Sequence, residues 1–343
     1  PGRGIRSLSK PPVMLYSILA CALLAPASAT VELLVLGDWG GMPIDPYTTP
    51  GQRATAKGMG VVGAQLKVQA VLALGDNFYF SGIVGDETSS RFAHTWDDVY
   101  TDTSLQVPWY VIAGNHDYKG NVTAQVAYSG VSSRWTFPAL YHSQSFVSAE
   151  DGTTVDVVLI DTVDLSGSSS AADESDPTYF APLPPRAKGE AQEQWDWIEA
   201  QLAASTADYL LVGGHFPVYS LCEHGNTQNL IDHLQPLLEA HGAHYMSGHD
   251  HCMESMLSEG VQYIVSGMGD TCCYDPTNID NVPGVQFYVS KGHKEKGTIG
   301  GFTSITASKS SLTIGFYDQD GNTLYNTPGV AARAQAHRTP KHN

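Results

Sequence analysis

The sequence predicts a layered α/β protein, and three observations carry that reading. Short apolar runs of strand length alternate with longer stretches of helical spacing. Most of the runs are apolar throughout, the pattern of strands covered on both faces. No self-similarity recurs at the period of a solenoid or propeller, so the alternation describes layers and not an array.

In chain order, "ELLVLGD" (32–38), "AVLALGD" (70–76), "WYVIAGNHD" (109–117), "DVVLID" (156–161), "YLLVGGH" (209–215) and "HYMSGHDH" (244–251) read as buried strands. Between them, "TPGQRATAKGMGVVGAQLK" (49–67), "EAQEQWDWIEAQLAA" (190–204) and "NTQNLIDHLQPLLEAH" (226–241) have helical spacing with capping residues at their starts. Beyond about residue 260, "VQYIVSGMG", "GGFTSITAS" and "SLTIGFYD" read as antiparallel strands that close a second sheet. The Ser-, Pro- and acid-rich segment 164–190 has no periodicity and reads as a long exposed loop.

The ends of the chain read differently. Arg3, Arg6 and Lys10 precede the apolar run "VMLYSILACALLAP", and "ASA" follows, ending at Ala29. Residues 1–29 are therefore expected to be a secretory signal, too short and too broken by Pro26 for a stable membrane span. Residues 30–330 make the folded domain, and 331–343 a polar, disordered tail. The signal carries three basic residues and no acidic ones, so its removal takes the formal charge from −17 to −20. So acidic a chain repels polyanions, which argues against nucleic acid or an anionic membrane surface as a partner. An anionic substrate would need local positive charge, and metal ions are its obvious source.

With Cys21 in the signal, Cys222, Cys252, Cys272 and Cys273 remain, an even number in an exported chain. One or two disulfides are expected, with three connectivities open. No Cys-x-x-Cys pair supports a thiolate zinc site. "NVT" at Asn121 is an acceptor sequence for an N-glycan.

Five apolar runs end in residues able to bind metal. They are Asp38 in "LGDWG", Asp76 in "LGDNFY", Asn115 and His116 in "AGNHD", His215 in "GGHFPVYS", and His249 and His251 in "SGHDH". Strands of an α/β sheet present their carboxyl ends to one edge, where ligand sites form. Each residue alone has an ordinary explanation as a helix cap, a turn residue or a core histidine. Five endings of one kind are hard to explain as turns.

Those blocks, in this order, resemble the metal-ligand blocks of the purple acid phosphatases within the calcineurin-like metallophosphoesterases. The small, tartrate-resistant, mammalian-type branch is the most similar, from about Val31 to Thr327 and including "RWTFP" and "EHGNT". The resemblance implies a four-layer α/β/β/α sandwich of two mixed sheets. It also implies an acid phosphatase that hydrolyses phosphate monoesters with a metal-bound hydroxide. One metal would take Asp38, Asp76, Tyr79 and His251, and the other Asp76, Asn115, His215 and His249. A count of formal charge agrees. Asp38, Asp76 and a Tyr79 phenolate bring three anions to the first site, against the shared Asp76 alone at the second. A hard trivalent ion suits the first and a divalent ion the second, so Fe(III) with Fe(II), Zn(II) or Mn(II) fits. His116 and His224 match outer-sphere histidines that contact phosphate or assist the leaving group, as an imidazolium can in acid. Asp117 and Asp250 are expected to orient ligands or backbone.

The chain departs from the resemblance where mammalian-type members pair two cysteines. Those regions here read Leu165 to Gly167 and Thr227 to Leu230. The segment 164–190 matches in position a loop that covers the active site in the family. A secreted or lysosomal/vacuolar monomer is expected. The competing functions are a calcineurin-like phosphodiesterase with two divalent metals and a non-catalytic secreted iron- or phosphate-binding protein.

Overall fold

The computed structural model describes residues 30–166, 191–294 and 296–333. The expected signal (1–29), nearly all of the expected tail (331–343) and most of the segment 164–190 lie outside the described residues. No helix among those described is long and apolar enough to cross a membrane.

Among the described residues, fourteen strands form two mixed sheets of seven. They are β1 (Val31–Leu36), β2 (Ala70–Leu74), β3 (Trp109–Ile112), β4 (Trp135–Thr136), β5 (His142–Val147), β6 (Thr154–Leu159) and β7 (Tyr209–Gly213). There follow β8 (His244–Ser247), β9 (Met253–Ser258), β10 (Val261–Ser266), β11 (Val285–Val289), β12 (Gly301–Ala307), β13 (Leu312–Asp318) and β14 (Thr323–Asn326). The first sheet runs β14-β13-β12-β1-β2-β3-β4 and the second β11-β9-β10-β8-β7-β6-β5. In the first, β1 to β4 are mutually parallel. In the second, β6, β7, β8 and β10 are parallel.

Side-chain alternation explains the layers. Leu33, Val35, Leu72 and Leu74 point into a core shared with Val157, Leu159, Leu211, Met246 and Ile264 of the other sheet. Their neighbours Leu34, Leu36, Val71 and Ala73 face outward onto Met59, Trp96, Trp109 and Trp135. On the second sheet Val158, Leu210 and Val212 face Ile198, Leu202, Leu234 and Leu238. Three apolar layers between four structural layers leave the central strands no wet face, which is why they read as continuous apolar runs.

The helices follow their signals. α1 (Pro50–Leu66) begins with Thr49 accepting the Gln52 N–H at 2.9 Å and with Pro at its first position. α2 (Val122–Ala127) is capped by Asn121, and a short α3 (Thr162–Ser166) follows β6. α4 (Gln192–Ala204) covers the second sheet, and α5 (Gln228–His241) beside it ends at Gly242 with φ 60°.

Two expectations are corrected. The strands after residue 300 do not build the second sheet, because β12 pairs antiparallel with β1 and β13 with β12. Only β10 of that group joins the second sheet, and a hairpin with β9 brings it there. The loop expected from 164 also begins in helix, since α3 extends to Ser166.

Candidate metal centre

The carboxyl ends of both parallel sets meet at one edge, stitched by backbone bonds. Gly37 N–H donates to Ser266 O (2.8 Å), Asp38 N–H to Gly75 O (3.1 Å) and Gly248 N–H to His215 O (3.0 Å). Each expected ligand lies on the loop just past its strand, so all seven converge there with His116 and His224.

Five of the seven, Asp38, Asp76, Asn115, His215 and His249, follow a glycine, and the reason is steric. A Cβ on Gly114 would overlap Asp76 Oδ1, and one on Gly248 would overlap Asp38 Oδ2. The bare backbone of each loop is the wall against which the next loop's carboxylate packs. Asp38, Asp76 and His249 themselves hold φ of 58°, 51° and 71°, where few side chains sit without support.

Two groupings share Asp76. In the first, Tyr79 Oη donates to Asp38 Oδ1 at 3.0 Å, and His251 Nε2 lies 2.9 Å from Tyr79 Oη and 3.7 Å from Asp38 Oδ1. In the second, His215 Nε2 lies 3.4 Å from Asp76 Oδ1 and 3.0 Å from Asn115 Oδ1. His249 stands beside it, its ring 5.1 Å from the His215 ring. Ligand atoms of Asp38, Asp76 and His215 all fall within 4.8 Å of one another.

These residues fit a pair of cations. His215 Nδ1 donates to Leu74 O at 2.8 Å, so the Nε2 of the neutral ring is a lone pair facing two further acceptors, Asp76 Oδ1 and Asn115 Oδ1. Protonation would relieve that, but burial holds the His215 imidazole below its usual range. Burial likewise holds His251 down to about 3 and His249 well below its usual range. Burial, then the Asp76 charge, pushes the Asp38 carboxyl well up, and burial beside Asp38 does the same to the Tyr79 phenol. Buried lone pairs and resisted negative charges are the signature of a site completed by metal.

The catalytic candidates flank it. His116 donates its backbone N–H to Asp76 Oδ1 (2.9 Å) and its Nδ1–H to Phe80 O (2.7 Å), leaving Nε2 3.9 Å from Asp76 Oδ2. The His224 ring stacks on His249 at 4.3 Å. Asp117 accepts N–H groups from Gly114 (2.8 Å), Asn77 (3.1 Å) and Phe78 (3.2 Å), pinning two ligand loops together. Asp250 accepts the His224 N–H at 3.0 Å. Both acids therefore orient backbone. The disulfide Cys222–Cys252 ties the His224 loop to the His251 loop, and Cys272 and Cys273 pair with each other.

Four supporting residues carry no motif. Buried Arg91 donates to Tyr79 O (3.1 Å) and Gly40 O (3.0 Å), clamping two ligand loops from below. Tyr274 stacks on His251 at 4.7 Å. Asp270 is buried with Oδ1 lacking a hydrogen-bond partner among the described residues, and burial pushes its carboxyl well up. Glu254 is buried in β9, where an acid inside the apolar run "CMESML" was the one available signal.

Fold and site together define a metal-dependent phosphoesterase. The family model for calcineurin-like phosphoesterases matches residues 31–253. The chain is 38% identical over 318 residues to tartrate-resistant acid phosphatase type 5 of Rattus norvegicus, covering 92% of this chain and 94% of the relative. The Homo sapiens counterpart is 37% identical over 318 residues, with 92% and 95% covered. Purple acid phosphatase 4 of Arabidopsis thaliana is 30% identical over 301 residues, with 86% and 82% covered. Among solved structures, GAP50, the anchor in the inner membrane complex of Plasmodium, superposes with TM-score 0.70 at 22% identity, covering 89% of this chain and 90% of that one. A dimetal phosphatase from Danio rerio gives 0.55 at 16%, with 90% and 100% covered, and both show the fold alone. The chain belongs to the purple acid phosphatase family of calcineurin-like phosphoesterases, whose members share a binuclear metal centre.

Proposed function

We propose that this acid phosphatase hydrolyses phosphate monoesters at an Fe(III)–M(II) pair, with M being Fe, Zn or Mn. Asp38, Asp76, Tyr79 and His251 would hold the trivalent ion, and Asp76, Asn115, His215 and His249 the divalent one. The observation that carries it is the pair of groupings around Asp76, unequal in charge. Two carboxylates and a phenol crowd one side, while an amide and imidazoles stand on the other. When bound, such a pair supplies Lewis acidity toward phosphoryl oxygen and toward water.

The chain's own groups do the rest. His116 fixes Asp76 through its backbone N–H, while its ring lies beside Tyr79 at 4.8 Å, within reach of a phosphate seated on the metals. His224, stacked over His249, would give a proton to the departing alkoxide.

The test is metal content with a visible spectrum. A tyrosinate on Fe(III) gives a phenolate-to-iron charge-transfer band, and Tyr79→Phe should bleach it while both metals remain. Iron-loaded wild type without the band, or two divalent ions in place of iron, would favour the phosphodiesterase reading.

Export and a monomeric state complete the proposal, and the disulfide across the ligand loops suits an oxidising compartment. Asn121 would carry an N-glycan, although its side chain also caps α2 and donates to Gly85 O at 2.7 Å. Asn121→Asp keeps the capping oxygen, so it should abolish a glycosidase-sensitive mass shift without unfolding the helix. An unchanged mass on glycosidase treatment of wild type would dismiss the glycan.

A further inference from the structure

His224 sits on an irregular turn between β7 and α5, with neither helix nor strand to hold it. Three buried groups converge beneath that turn. Ser220 Oγ contacts Asp250 Oδ2 through a short hydrogen bond and Glu254 Oε1 at 3.0 Å. Glu254 Oε2 accepts the Leu221 N–H at 3.1 Å, and Ser220 Oγ accepts the Cys222 N–H at 3.1 Å. Asp250 Oδ1 then accepts the N–H of His224 itself at 3.0 Å. All three side chains are fully buried, and the Cys222–Cys252 disulfide closes the same corner.

A proton count orders the chain. Ser220 has one hydroxyl hydrogen but lies within hydrogen-bond distance of two carboxyl groups, so one carboxyl must donate to it. The two acids therefore share at least one proton through the Ser220 hydroxyl, and neither can be removed without leaving that hydroxyl a partner short. Glu254 thus holds Ser220 and the Leu221 N–H, Ser220 holds Asp250, and Asp250 Oδ1 receives the N–H of the turn carrying His224.

We propose that Ser220 and Glu254 are positioning residues for the phosphatase reaction. They fix Asp250, and through it the His224 turn, so that the imidazole stays stacked on His249 where the leaving oxygen departs. The inference rests on the reading of His224 as proton donor.

The experiment compares two substrates in metal-loaded enzyme. 4-Nitrophenyl phosphate leaves as a stabilised phenolate and needs little protonation, whereas glycerol phosphate leaves as an alkoxide and needs it. A positioned general acid contributes roughly 100-fold or more, so Ser220→Ala and Glu254→Ala should each lose about 10-fold or more in kcat on glycerol phosphate. Their losses on the nitrophenyl ester should stay within about 3-fold, on the same general-acid argument. Iron content and the visible band should be unchanged. Glu254→Gln, which still donates to Ser220 and accepts from Leu221, should recover most of the glycerol phosphate rate. Ser220→Ala combined with His224→Ala should be no worse than His224→Ala alone, because both remove the same contribution.

If His224→Ala slows the two esters equally, the proton-donor reading fails and takes the inference with it. If His224→Ala discriminates but the Ser220 and Glu254 variants do not, only the inference is overturned. Loss of iron or of the fold in the alanine variants, or additive losses in the double variant, would make the cluster structural and equally overturn it.

Discussion

Asp76 is the residue on which both halves of the proposed centre would depend. It lies between the Tyr79 and His215 groupings, at φ 51°, with a glycine wall on one side and the His116 N–H on its oxygen. Asp76→Ala should therefore lose both metals, whereas His249→Ala should lose the divalent ion first and retain part of the iron. Elemental analysis decides it, and two metals per chain in the Asp76 variant would remove the bridging role. The candidates and their convergence were legible in the sequence, because Asp, Asn and His after glycine at strand ends stand out. Arg91 did not. It holds loop carbonyls through a buried guanidinium, and nothing in "SSRFAHTW" separates such a residue from a surface arginine.

At the scale of elements, the strand endings were readable because apolar runs stop abruptly at glycine, and α1, α4 and α5 because capping and spacing agree. β9 and β11 were missed. Glu254 interrupts the apolar pattern of β9, and β11 at the sheet edge keeps only Val289 fully buried. α3 carries no helix signal because it is five residues long and runs into a Ser-rich stretch. Its start is set by Asp161, whose Oδ1 accepts the N–H groups of Val163 and Asp164, both at 3.1 Å. Burial pushes the Asp161 carboxyl from 3.8 up to about 6. The folded chain then binds this proton more tightly than the unfolded chain does. The associated stability is complete below about pH 4 and is lost as pH rises through about 6, a change on the order of 3 kcal/mol. Denaturant midpoints should fall over that interval in wild type and less so in Asp161→Asn. Parallel curves for the two proteins would show that Asp161 is not the titrating group.

For the molecule as a whole, two sheets meet at a single edge, and each brings ligands that the other lacks. Asp38, Asp76, Tyr79 and Asn115 follow strands of the first sheet, and His215, His249 and His251 strands of the second. Metal held by these proposed ligands would clamp the sheets together, so its removal should cost stability as well as activity. At a free metal concentration of about 100 times Kd the linkage contributes roughly 2.7 kcal/mol. Chelation should lower Tm, and reloading should restore it. An unchanged Tm after verified metal loss would mean that the sheets hold the ligands in place unaided. The acidity of the chain does not oppose an anionic substrate at this edge, since paired cations set the local charge.

The sequence by itself determined the candidate ligand residues, their order and their place after strand ends, because most are local signals, a residue and the glycine before it. It also carried the α/β alternation, which depends only on spacing. Tertiary structure alone decided which sheet each late strand joined. β12 pairs back onto β1, about 270 residues earlier in the chain, and carries β13 with it, and no local pattern specifies so distant a partner. It likewise decided the cysteine pairing, which follows from loops brought together by metal-ligand strands of the second sheet. The cluster of Ser220, Asp250 and Glu254 exists only in three dimensions. Two buried acids reveal themselves when folding places one hydroxyl between them.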